Sequence, residues 1–232
     1  EGFNLLDPIK ATVITPGLDV DGEFSDGIGM PAAIVTKYLA EHGVIVEKCG
    51  LYSFFIMFTI GITKGRWNTL LTALQQFKDD YDKNQPMWRI LPEFCQKYPK
   101  YEQMGLADLC QYVHALYAKY DIARLTTDMY LSDLTPAMKP SDAYAHIALR
   151  QTERVEIDQL EGRITVGLVT PYPPGIPLLI PGEVFNKKIV DYLKFSREFN
   201  TKCPGFETDI HGLVEETGPD GIKRYYADCV KA

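Results

Sequence analysis

The sequence holds 232 residues, enough for one large domain or two modest ones, and its 46% hydrophobic and 24% charged content excludes a disordered or low-complexity chain. With 31 acidic against 24 basic side chains the net charge is −7, a sign that repels phosphate backbones and weighs against nucleic-acid binding. No apolar run approaches the roughly 20 residues of a membrane span.

In chain order, Glu1-Gly2-Phe3-Asn4 is neither a start methionine nor a signal peptide, and the expectation is that the sequence begins inside a longer protein. Lys10 to Thr15 is rich in β-branched residues and ends at Pro16-Gly17, which predicts a strand closed by a turn. An acidic loop follows through Asp19, Asp21, Glu23 and Asp26. Ile28-Gly29-Met30-Pro31 opens a helix with Pro31 in its first turn, Ala32, Ala33, Val35, Tyr38 and Leu39 form its apolar stripe, and Gly43 closes it. Val44–Glu47 reads as a short strand, and Phe54–Ile60 as a strand apolar on both faces, hence central. A long helix is predicted from Lys64 to about Tyr81, with Leu70, Leu71, Leu74 and Phe77 on one face. Asn84-Gln85-Pro86 breaks the pattern and is the candidate domain boundary.

Beyond it, Leu109, Tyr112, Val113, Leu116 and Tyr117 recur at helical spacing, and Ile122–Leu131 predicts another helix. Ser141-Asp142 is positioned to cap a helix running to about Leu149. The last third turns to strands over Arg154–Ile157, Arg163–Val169, Ile176–Ile180, Gly212–Glu216 and Arg224–Val230, interrupted by an amphipathic helix near Val190–Phe199.

Five cysteines lie scattered without a C-x-x-C pair, so neither a zinc site nor a disulfide framework is expected, and reduced thiols in the cytoplasm are the simplest reading. Gly27-Ile28-Gly29-Met30-Pro31-Ala32 matches the dinucleotide pattern G-x-G-x-x-A. However, an eleven-residue acidic interval separates it from the preceding strand, where pyrophosphate would be repelled, and a turn is the better reading. Asp19-Val20-Asp21-Gly22-Glu23 lacks the ligand set of a calcium loop and reads as solvated. The four histidines lack metal-ligand spacing, so no metal site is expected; His211 stands out because it ends a polar turn beginning at Pro204. No G-x-S-x-G elbow or phosphate-binding loop anchors a hydrolase or NTPase.

The strongest local signal is Pro171-Tyr172-Pro173-Pro174-Gly175, whose prolines stiffen the backbone around Tyr172. It reads either as a rigid connector or as a loop presenting a phenol to a site. Glu47, at the end of a short apolar run beside Lys48, reads either as a surface ion pair or as a partly desolvated carboxylate able to meet a substrate ammonium.

Taken in order, Leu6-Asp7-Pro8-Ile9-Lys10, Thr15-Pro16-Gly17, Gly29-Met30-Pro31-Ala32, Pro171-Tyr172-Pro173-Pro174-Gly175, Pro181-Gly182-Glu183 and Pro204-Gly205-Phe206-Glu207 resemble the C-terminal region of the bacterial ornithine/lysine/arginine decarboxylases. The resemblance runs essentially end to end and is most like the lysine and arginine members. It implies an α+β chain: the end of an aminotransferase-like small domain, an α/β sandwich, over residues 1–85, then a C-terminal α+β domain over residues 86–232. It implies pyridoxal phosphate as cofactor, held by a large domain whose Ser-x-His-Lys segment has no counterpart here, since the sequence contains no His-Lys pair. No catalytic residue is therefore expected within the chain, which alone would be inactive.

By the same resemblance Glu47 corresponds to a glutamate that faces the substrate's distal ammonium, and Tyr172 to a tyrosine that reaches towards the cofactor cleft. The expected partners are the rest of the polypeptide, a basic amino acid (lysine ahead of arginine or ornithine), and further copies in a homodimer or larger homo-oligomer, with no nucleic acid or membrane. Some stress-induced lysine members of the family bind a guanosine alarmone near the start of the C-terminal domain; Pro86 and Gly105, with Arg89 alone suitably charged, depart from that pattern. The competing expectation is a free-standing, non-catalytic assembly or regulatory module sharing the fold.

Overall fold

In the first unit, β1 (Lys10–Ile14) runs into Pro16-Gly17, where a glycine takes φ +135. The computed structural model describes residues 7–172 and 175–231, and the chain divides into two compact units, Glu1–Lys119 and Tyr120–Ala232. Helix α1 (Ala32–Glu41) begins directly after Pro31 and buries Ala32, Ile34, Val35, Tyr38 and Leu39 at helical spacing. Two further strands, β2 (Lys48–Cys49) and β3 (Ser53–Met57), complete an antiparallel sheet ordered β1-β3-β2. Register runs from Lys10 opposite Met57 to Ile14 opposite Ser53.

The strand expected over Val44–Glu47 does not form. Gly43 adopts φ +78 and the Val44 amide donates back to the Leu39 carbonyl, so this stretch is still completing the helix cap. Pairing begins only where the Glu47 amide donates to Phe55. β3 is central as expected but shorter: Phe54 and Ile56 are buried, Phe55 and Met57 half-buried, and Ile60 beyond its end is fully exposed.

Thr63 caps α2 (Lys64–Asp82), whose buried stripe is Leu70, Ala73, Phe77 and Asp80; Leu71, expected among them, is 46% exposed because it lies one residue off that 3/4 spacing. Short helices α3 (Met87–Ile90) and α4 (Pro92–Lys97) lead through a 3-10 turn at Pro99–Tyr101 to α5 (Leu106–Lys119). The Asn84–Pro86 break lies inside this unit. Asn84, at φ +45, accepts from the Ala107 amide and donates to Asp108, while Glu41 of α1 accepts from the Phe94 amide. The chain is thereby fastened to the start of α5 just before Pro86 and to α1 after it.

The second unit opens with α6 (Ile122–Leu131) and α7 (Pro140–Ala148). Lys139 and Pro140 start α7, so Ser141 and Asp142 lie within its first turn rather than capping it. Then come β4 (Thr152–Glu156), a 3-10 turn at Ile157–Gln159, β5 (Thr170–Tyr172), α8 (Lys187–Lys202), β6 (Asp209–His211), β7 (Leu213–Thr217) and β8 (Lys223–Val230). An antiparallel sheet ordered β4-β8-β7 stands beside a two-stranded β5-β6 ribbon. The core collects Val155, Ile157, Ala227 and Cys229 with Ile189, Leu193 and Phe199 of α8.

The strands expected over Arg163–Val169 and Ile176–Ile180 reduce to single bridges at Ile164, Thr165, Val169 and Leu179. Thr165 explains the first: its hydroxyl exchanges hydrogen bonds with the backbone of Gly167, bending the chain where a ladder would continue. No helix among the described residues is long and apolar enough to cross a membrane.

Candidate functional site

The β5-β6 ribbon joins two of the segments singled out in the sequence. Tyr172 pairs with Asp209 and Thr170 with His211, so all four side chains share one face of the ribbon, while Pro171 and Ile210 point to the other and are buried. The His211 ring meets the Tyr172 ring edge-on, centroids 6.2 Å apart at 75°, and His211 Nε2 lies 3.3 Å from Asp209 Oδ2. Tyr172 itself is 58% exposed. Pro173 and Pro174 of the same motif lie outside the described residues, as does Leu6.

The ribbon is tied down on both sides. Asn200 of α8 donates to the Thr208 carbonyl and accepts from the Thr208 amide, both at 3.1 Å, imitating a strand partner just before β6. Immediately after His211, Gly212 adopts φ +95 and passes so close to Leu168 that a Cβ would strike its carbonyl oxygen. Gly175, at φ +79, donates to the Pro171 carbonyl, and a Cβ there would lie 3.2 Å from the Tyr172 ring.

Glu47 sits at the entrance to β2, in the first unit, and is exposed. Its carboxylate forms no ion pair among the described residues, so neither the expected pairing with Lys48 nor the expected partial desolvation is seen within this chain. Desolvation needs neighbouring apolar surface, and the adjoining Ile45 is itself 79% exposed. Glu47 and Tyr172 thus fall in different units; the residues actually brought together are Tyr172, Asp209 and His211. Asn200 was not picked out from the sequence, and Asp209 and Gly212 only as neighbours of His211 in a polar turn, because the link from Asp209 to Tyr172 is a three-residue pairing with a proline at its centre.

Gly27 and Gly29 are structural. Gly27 turns at φ +81, and a Cβ on Gly29 would run into the His114 ring. His114 Nδ1 lies 2.5 Å from the Tyr52 hydroxyl and its Nε2 2.9 Å from the Ser25 carbonyl, fastening α5 to the acidic loop; burial pushes the Tyr52 phenol well up. In that loop Asp19 spends a carboxylate oxygen on the Asp21 and Glu23 amides, and among the described residues no three His, Cys, Asp or Glu side chains assemble to hold a metal.

Each unit also carries an open cavity. One of about 710 Å³ in the first unit is lined by Tyr38, His42, Asp80 and Arg89. One of about 590 Å³ in the second is lined by Arg197, Asn200, Asp209, Glu215, Lys223 and Tyr225. Lys223 lies 2.7 Å from Glu215, which holds that carboxyl below its usual range.

Together these features define an α+β chain built around two small antiparallel sheets. The Orn/Lys/Arg decarboxylase major-domain model matches residues 1–66, and the Orn/Lys/Arg decarboxylase C-terminal-domain model matches residues 123–231. The chain belongs to this family. It is 46% identical over its whole length to lysine decarboxylase LdcA of Pseudomonas aeruginosa, and 40% identical over 97% of its length to the inducible lysine decarboxylase of Escherichia coli. The solved structure of lysine decarboxylase A from P. aeruginosa superposes on 98% of the chain with a TM-score of 0.90 at 46% identity. Arginine and ornithine decarboxylases of E. coli match as well. The chain covers 31% and 32% of the two lysine decarboxylases, so it spans about a third of the length of the curated relatives it matches.

Proposed function

We propose that this chain supplies the substrate-recognising and assembly-forming part of a pyridoxal-phosphate-dependent basic amino-acid decarboxylase, with lysine as substrate. What carries the reading is the likeness over the full chain, higher to two curated lysine decarboxylases than to the arginine and ornithine enzymes, although the lysine decarboxylase of Francisella novicida is only 32% identical. Relatives named lysine decarboxylase reach 46% and 40% identity, the arginine enzyme 36%, and the ornithine enzymes 35% and 31%.

The residues present do not by themselves fit the cofactor. A cofactor-holding lysine needs an unengaged amine facing a phosphate cradle and a carboxylate for the ring nitrogen. The sequence has no His-Lys pair, and Lys223, the lysine lining the cavity of the second unit, is engaged by Glu215. No chemical step is therefore assigned to this chain. Its part is to bind and orient.

Glu47 offers a carboxylate with no ion-pair partner among the described residues, suited to the distal ammonium of lysine once neighbouring surface covers it. Tyr172 offers a phenol on a ribbon fixed at both ends. Assembly contacts, cytoplasmic location and activity in a longer polypeptide belong to the same reading.

A substrate panel tests it. The complete polypeptide encoding this sequence should release carbon dioxide from lysine with a kcat/KM at least tenfold above that for ornithine or arginine. Equal use of all three, or a preference for arginine, would overturn the lysine assignment.

A further inference from the structure

We propose that His211 is the positioning residue for the Tyr172 phenol. This role rests on reading Tyr172 as a group presented to substrate, as proposed above. More than half of the Tyr172 surface is exposed, and its hydroxyl has no hydrogen-bond partner among the described residues. Among the described residues its direction is therefore set by ring contacts. Gly175 lies close against the ring, and the imidazole of His211 meets it edge-on at a separation typical of stable aromatic pairs.

The strand that carries His211 is in turn fixed. Asp209 lies two residues earlier on the same face of β6, and its carboxylate lies 3.3 Å from Nε2. Asn200 and Gly212 fix the strand on either side of the pair. His211 and Tyr172 thus form a ring pair on a fixed ribbon, with the Tyr172 phenol at its exposed end. A side chain held this way loses little freedom when substrate arrives, whereas an unrestrained exposed tyrosine would sample several rotamers. The sequence singled out His211 without a partner; the ribbon supplies one.

Steady-state kinetics of the complete decarboxylase, with lysine as substrate, test the role. His211→Ala should lower kcat/KM roughly three- to tenfold, mainly through kcat, with an unchanged melting temperature. In a Tyr172→Ala background the same substitution should have no further effect, because the residue acts through Tyr172. His211→Phe, which restores the ring edge without the imidazole, should recover most of the loss. If His211→Ala does not fold, His211→Gln takes its place with the same expectation. Losses from His211→Ala and Tyr172→Ala that multiply independently would overturn the positioning role, as would His211→Phe behaving like His211→Ala. A defective Tyr172→Ala beside a normal His211→Ala would remove the role of His211 and leave that of Tyr172. A fully active Tyr172→Ala would remove the premise itself.

Discussion

Several residues in the family-like motifs serve packing before chemistry. Gly29 faces the His114 ring and Gly17 faces Tyr52, each too close for a Cβ. Gly29→Ala must push His114 aside and disturb its contacts with Tyr52 and Ser25, so it should destabilise the chain by about 1–3 kcal/mol. A lowered midpoint in urea unfolding, with an unchanged slope, checks this. The thiols give a second expectation. Cys95, Cys110, Cys203 and Cys229 are buried, whereas Cys49 is half-buried, and burial pushes the Cys229 thiol up to about 12. Since only the thiolate attacks, iodoacetamide at neutral pH should modify Cys49 first and reach the others only on unfolding. Mass spectrometry showing equal rates for all five would contradict the buried placement.

At the scale of elements, capping and pairing decide what the sequence could show. Asn186 begins α8 by accepting from the Ile189 amide at 2.9 Å, and its amide also donates to Ser132. Asn186→Ala should cost about 1 kcal/mol, seen as a melting temperature lower by a few degrees. Helices α1, α2, α5, α6 and α8 were legible because long 3.6-residue periodicity leaves a strong signal. β1, β4, β7 and β8 were legible from their runs of β-branched and aromatic residues. The failures have two causes: a strand-like run can be spent on a local cap or bend, and pairing over two or three residues is decided by distant partners. Val44–Glu47 looked like a strand but is spent on a helix cap, and Arg163–Val169 is bent by Thr165. Conversely Thr170–Tyr172 and Asp209–His211 form a ribbon that neither segment announces. Of the candidate site, Tyr172 and His211 were each visible from motif and composition, but their contact was not.

At the scale of the whole molecule, the break at Asn84–Pro86 looked like a boundary because proline and asparagine punctuate there, yet Asn84 bonds forward to the start of α5 and the compact unit continues to Lys119. The chain carries the surfaces proposed to read substrate but no cofactor lysine of the family type. Purified alone and supplied with pyridoxal phosphate and lysine, it should release no carbon dioxide above background; measurable release would show that a lysine within these residues suffices. Glu47 is the residue proposed to meet the distal ammonium of the substrate. Glu47→Gln keeps the shape of the side chain and removes its charge. In the complete decarboxylase it should leave cofactor absorbance and melting temperature intact. A buried ammonium left without its anion should then lower kcat/KM for lysine by about two decades or more. A Glu47→Gln enzyme that turns over lysine at near-normal kcat/KM would make Glu47 an ordinary surface carboxylate and contradict the assignment.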